Sequence, residues 1–192
     1  MHLLVVFGPP AVGKMTVGGE ICARTGYKLF HNHLTIEPFL GIFEFGTPSF
    51  NRLSSEFRRR VFEEALEADL AGLVFTFVWG LELPEDRELV QGYVDLVEAA
   101  GGTVSFVELA APLEARLARN NTELRLAEKR SKRDREWNDD NLRSLERYVM
   151  NTCPGHRTVA EEVLDAHPHL RLENADRSAA DVADEVVGWL GG

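Results

Sequence analysis

Leu3-Leu4-Val5-Val6-Phe7-Gly8-Pro9-Pro10-Ala11-Val12-Gly13-Lys14-Met15-Thr16 is the stretch that decides the fold. Residues 3–7 are apolar without alternation, the pattern of a strand covered on both faces and therefore central in its sheet. Gly8-Pro9-Pro10 stops that strand. From Lys14 the apolar residues Val17, Ile21 and Cys22 recur at helical spacing, and Gly26 supplies a C-terminal stop. A buried strand, a glycine-rich turn and a helix follow one another within 25 residues.

The same alternation continues along the chain. Residues 27–30 read as a second strand, and 50–70 as an amphipathic helix with Leu53, Phe57, Val61, Phe62, Ala65 and Leu66 inward. Residues 72–79 are again apolar and broken only by Thr76. Pro84, Glu85 and Asp86 open a helix that Gly101-Gly102 ends. A fourth strand spans 103–109, Pro112 opens a fourth helix, and 141–150 reads as helical. Thr158 and Glu161 suggest a capping box, 169–173 a fifth strand, and 178–190 a last helix with Val182, Val186 and Trp189 on one face. Strands and helices in strict alternation, with continuously apolar strands, imply right-handed crossovers and a three-layer α/β/α architecture around a five-stranded parallel sheet. In such a sheet ligands sit beyond the carboxyl ends of the strands.

Composition narrows the function. A chain of 192 residues with 44% hydrophobic and 27% charged residues suits a single globular domain over 1–192. The net charge of −10 argues against a general nucleic-acid or anionic-membrane binder. Cys22 and Cys153 are too few for a disulfide framework and wrongly spaced for zinc, which points to a reducing cytoplasm, and neither thiol looks catalytic. Neither 3–7 nor 71–81 is long enough for a signal core or a membrane span, so the expectation is a soluble, unprocessed cytoplasmic protein, monomer or homodimer.

The loop Gly8, Pro9, Pro10, Ala11, Val12, Gly13, Lys14, Met15, Thr16 fits G-x-x-x-x-G-K. Its glycines let backbone N–H groups converge on an anion, the following helix adds positive potential, and Lys14 can reach the outer phosphates. Met15 stands where the strict pattern wants a magnesium-binding Ser or Thr, and Thr16 comes one residue late.

With that spacing the loop resembles that of adenylate kinase and related nucleoside monophosphate kinases, and the order of elements resembles the shikimate, gluconate and chloramphenicol kinases. The resemblance implies a sheet order of 2-3-1-4-5, ATP as donor, Mg2+ placed with the help of Thr16, an acceptor pocket after strand two and a cationic lid at about 120–137. Residues 116–147 hold ten basic and seven acidic residues, +3 in a chain of −10. The alternative is a solvated, salt-bridged helix pair with Glu128 and Asp134 as partners. By layout Arg119 resembles the arginine that packs on adenine, and Arg130 and Arg133 resemble phosphate contacts. Asn174-Ala175-Asp176 fall where relatives hold the adenine edge, although Asp176 and Ser178 equally suit a turn and a helix cap.

Relatives place an aspartate after strand two, and here no aspartate occurs between residues 1 and 56. Asn32, His33 and Glu37 are the nearest candidates for orienting or deprotonating the acceptor, with His33 well matched to proton transfer near neutral pH. His31 and His33 at i and i+2 could instead bind a metal, but no third ligand is evident. Arg58, Arg59 and Arg60 lie where relatives grip an acidic acceptor; they splay about 100° apart, so one would face the pocket, and a solvated face is the alternative. Trp79 ends strand three as a candidate floor of the acceptor pocket, with Glu82 a weak substitute for a metal-side acid.

The resulting expectation is an ATP-dependent kinase acting on a small hydroxyl or phosphate acceptor. An ATP-binding sensor or slow ATPase is the alternative, and a kinase of nucleic-acid ends is disfavoured by the acidity outside 116–147.

Overall fold

The computed structural model describes residues 1–120 and 142–191. Five strands, β1 (His2–Phe7), β2 (Lys28–His31), β3 (Gly72–Phe77), β4 (Thr103–Ala110) and β5 (His169–Glu173), form one sheet in the order β2-β3-β1-β4-β5. Every pairing is parallel, and Phe7 stands level with Phe77 on one side and Glu108 on the other. The doubly covered central strand read from the sequence is therefore β1.

Alternate residues of β1 feed two cores. Leu3, Val5 and Phe7 join Phe62, Phe75, Trp79, Tyr93 and Phe106 beneath the helices α3 (Pro48–Glu67), α4 (Pro84–Ala99) and α6 (Glu161–Asp165). Leu4 and Val6 join Val17, Ile21, Val107, Val182 and Val186 beneath α1 (Lys14–Thr25) and α7 (Ala179–Leu190). Each fully buried side chain of this size stabilises by roughly 1.5–3 kcal/mol, so the rim of the sheet rests on a stiff platform.

Local chemistry sets the helix ends. Thr47 caps α3, its hydroxyl accepting from the Phe50 N–H, with Pro48 in the first turn. Ser178 caps α7 in the same way through the Asp181 N–H. At α6 the Glu161 carboxylate reaches back to the Thr158 N–H at 2.8 Å, half of the capping box read from the sequence.

Three local expectations are corrected. The stretch after strand two is not a strand end carrying two histidines: His31 closes β2, and His33 opens the helix α2 (His33–Leu40), which its internal Pro38 hid from a pattern search. Phe57 does not face the core; it is 41% exposed and meets Phe39 of α2 edge-on. Residues 141–150 are not one helix. Helical structure ends with a 3-10 turn at Leu145–Arg147, and the chain then runs extended because its backbone bonds to the segment after β3 instead, the Leu81 N–H donating to the Val149 carbonyl at 2.7 Å.

Candidate active site

The loop between β1 and α1 is strained where its pattern demands it. Gly8 has φ +132° and Gly13 +104°, conformations that side chains rarely adopt, and Ala11 is at +65°. A Cβ on Gly8 would lie 2.2 Å from the Leu109 carbonyl oxygen, so no side chain fits between β1 and β4 there. α1 begins at Lys14. The Lys14 ammonium folds back over the loop and donates to the Gly8 and Pro9 carbonyls at 2.6 and 2.8 Å. Thr16 is exposed in the first turn of α1 and Met15 is half-buried.

Two arginines of α5 (Leu113–Asn120) and one asparagine fasten this loop from below. The buried Asn174, just past β5, donates from Nδ2 to the Val12 carbonyl at 2.8 Å. Arg119 donates to the same carbonyl at 3.0 Å and to the Asn174 and Ala175 carbonyls at 2.5 and 2.9 Å. Its guanidinium thus bridges the phosphate loop and the loop after β5. Arg116, 4% exposed, donates to the Ala111 carbonyl and grips both Glu146 oxygens at 2.7 and 2.8 Å, with the Pro10 carbonyl at 3.5 Å. Asp176 is exposed, and the Ser178 side chain is occupied as the cap of α7.

On the far side of the rim, α3 turns Arg58 inward while Arg59 and Arg60 stay outside and pair with Glu63 and Glu64. Arg58 is 7% exposed, lies over the Phe77 ring, and donates from Nε to the Thr35 hydroxyl at 3.0 Å and from Nη2 to the Asn32 side-chain oxygen at 2.7 Å. The Thr35 hydroxyl in turn donates to the Asn32 carbonyl, and the Ser54 hydroxyl to the Thr35 carbonyl. Asn32, Thr35 and Arg58 therefore form one buried polar unit joining α2 to α3. His33 is half-buried at the start of α2 with its ring 6.2 Å from that of His31, and Glu37 is exposed. Trp79 is fully buried between Phe7 and Phe106 and presents no surface; its indole N–H has no partner among the described residues.

A carboxylate reaches the end of β3 from a place the sequence did not suggest. Asp86, in the first turn of α4, turns back so that Oδ2 accepts from the Gly80 N–H at 2.9 Å. Burial pushes its carboxyl up, while the Gly80 N–H and the charge of Arg58 pull it down. Arg58 also lies against Tyr93, whose hydroxyl burial pushes up and the guanidinium draws down. Glu82 is used otherwise, both oxygens accepting from the Val149 N–H at 3.1 Å.

The fold recurs in solved structures. The shikimate kinase of Acinetobacter baumannii in complex with shikimate is 20% identical, with 98% of this chain and 92% of that one covered and a TM-score of 0.55. The APS kinase of Mycobacterium tuberculosis in complex with AMPPNP and APS is 20% identical over 100% and 98%, TM-score 0.58, and a gluconokinase of Sinorhizobium meliloti 1021 is 13% identical over 99% and 91%, TM-score 0.55. This is the P-loop kinase fold. At these identities the likeness is one of fold. No protein-family model matches the sequence, and no curated protein matches it.

A second set of anchors lies on β4. Glu108 is wholly buried and accepts from the Asn151 Nδ2 and Thr152 N–H, each at 2.9 Å, and from the Thr152 hydroxyl at 2.8 Å, with His169 Nε2 at 3.1 Å. Burial alone would raise its carboxyl; the donors, His169 foremost, hold it below the usual carboxylate range. Asn151 donates to the Leu109 carbonyl as well, the oxygen that crowds Gly8. Residues 148–152 are thereby tied to the sheet beside the phosphate loop.

The nucleotide implied by the fold meets a matching cradle in Gly8, Gly13, Lys14 and the N-terminus of α1. Magnesium bound mainly through phosphates and waters would need few protein oxygens, and Thr16, exposed in the first turn of α1, would be the residue to offer one. Among the described residues no three His, Cys, Asp or Glu side chains gather into a metal site of their own. Arg130 and Arg133, with the lid expected at 120–137, lie outside the described residues except for Asn120.

Proposed function

We propose that the protein is an ATP-dependent small-molecule kinase that transfers the γ-phosphoryl group to a small hydroxyl or phosphate acceptor. One observation carries the reading: a phosphate loop with positive-φ glycines and Lys14 at a helix N-terminus shares the rim of the sheet with a buried guanidinium, Arg58. Loop amides and Lys14 would hold the phosphates, Thr16 would serve Mg2+, and Asn32, His33 and Arg58 would align the acceptor, preferably one with an anionic group. Arg119, joined to the Asn174 and Ala175 carbonyls, would border the base. Arg130 and Arg133 belong to the lid in this reading. Phosphoryl transfer asks little covalent chemistry of the protein; positioning and neutralising charge supply most of the rate.

The test is ATP consumption over a panel of acceptors including shikimate, gluconate and APS, with the product identified by mass. Acceptor-dependent turnover supports the kinase. Tight ATP binding with no acceptor stimulation would favour the sensor or slow ATPase, a reading to which the lack of an aspartate after β2 lends weight.

A further inference from the structure

We propose that Asp86 is the carboxylate that orients the acceptor hydroxyl and takes its proton, in place of an acid after strand two. This rests on the kinase reading above. The other carboxylates near the acceptor side are spent or misplaced: Glu37 is exposed on α2, Glu82 is held by the Val149 N–H, and Glu108 is enclosed by its donors. Asp86 differs. Only its Oδ2 is engaged, by the Gly80 N–H, and among the described residues no donor reaches Oδ1.

Its position suits the role. Phe77 pairs with Phe7, so Gly80, three residues beyond, belongs to the same carboxyl-end rim as Gly8. Arg58 lies over the ring of Phe77, the last residue of β3, and Asp86 is bonded to Gly80 three residues further on, so a cation for an acidic acceptor and an acid for its hydroxyl both stand by the carboxyl end of that strand. The Tyr93 hydroxyl, 4% exposed, makes no well-formed hydrogen bond there. A carboxylate fixed by a backbone N–H is already oriented before substrate arrives, and burial makes it a stronger base than an exposed aspartate.

The step balances. The acceptor oxygen forms a bond to the γ-phosphorus, the bond from that phosphorus to the β,γ-bridging oxygen breaks to leave ADP, and the hydroxyl proton passes to Asp86 Oδ1 and later to water.

The experiment uses the full chain with Mg2+ and ATP, first with whichever panel acceptor stimulates turnover and second with water as the only acceptor. Asp86→Asn keeps an oxygen for the Gly80 N–H, so its melting temperature should stay near wild type. Its kcat should fall by about 10²-fold or more, with the KM for ATP unchanged and the acid limb of the pH profile abolished. Wild-type kcat with an intact limb overturns the proposal, and so does reduced kcat with the limb retained. Should the variant not fold, carbon NMR of the wild-type Asp86 carboxyl decides: titration at the midpoint of the acid limb supports the role, and a mismatch overturns it. If no acceptor raises turnover above the rate with water, the kinase reading falls and the proposal falls with it; acceptor-stimulated turnover that Asp86→Asn leaves unchanged overturns the proposal alone.

Discussion

The Gly8–Lys14 half and the Arg58 half of the rim, to which the proposed function gives the phosphates and the acceptor, are built differently. Around Gly8–Lys14 the groups proposed to meet the ligand are backbone amides, and the fastening groups are carbonyls: Val12, Asn174, Ala175, Ala111 and Pro10 all accept from arginine or asparagine side chains. Around Arg58 the groups are side chains: Asn32 and Thr35 accept from the Arg58 guanidinium, which lies over the Phe77 ring. Backbone cradles tolerate sequence drift wherever the φ angles are kept. Side-chain constellations change with each substitution, so the first half is suited to a common donor and the second to a particular acceptor.

Gly8→Ala should break the phosphate half most severely. It forces a Cβ against the Leu109 carbonyl at a φ that alanine resists, and should cost roughly 3 kcal/mol or more, read by urea unfolding. An unchanged midpoint would mean that β1 and β4 can part there. Lys14→Ala should leave the fold intact, at a cost of about 1 kcal/mol for its bonds to the Gly8 and Pro9 carbonyls, and lower ATP turnover by about 10²-fold, the scale of one lost transition-state donor. Wild-type turnover in a folded Lys14→Ala protein would remove the catalytic reading of the loop.

Arg58→Met should sharpen the contrast, because here one residue serves both structure and ligand. Leaving Asn32 and Thr35 without their donor should cost about 2 kcal/mol of stability, and the acceptor KM should rise while ATP affinity holds. A loss of ATP affinity instead would show the two halves to be one unit. Glu108 gives the smallest effect. Its carboxyl is held low in the folded state, so its contribution is present above the ordinary carboxylate value and is lost as pH falls through the depressed one. Glu108→Gln should therefore cost about 1 kcal/mol at pH 7, and the difference from wild type should vanish in acid. A gap that persists at low pH would assign the effect to packing.

The same division explains what the sequence disclosed. The strand–loop–helix reading stands because unbroken apolar strands and paired glycines are local patterns; the sheet order, which no local pattern fixes, is what the resemblance implied and stands as well. α2 escaped because Pro38 lies inside it, and the run at 148–150 because its partners, Leu81 and Glu82, are more than sixty residues away. Arg116 was read as one charge in a basic stretch, yet it is a buried anchor whose partners lie 5, 30 and 106 residues off. Asp86 looked like an ordinary first-turn acid of a helix. Only the chain's return on itself at Leu83 and Pro84 brings it to Gly80.

Trp79 offers an optical handle on these questions. An indole sealed between Phe7 and Phe106 should emit at short wavelength, resist quenching by iodide, and respond when the strand leading into Gly8 loosens. With Trp137→Phe and Trp189→Phe to silence the other two indoles, a single fluorophore packed on Phe7, the residue before Gly8, would follow in real time whether nucleotide tightens the sheet beneath it.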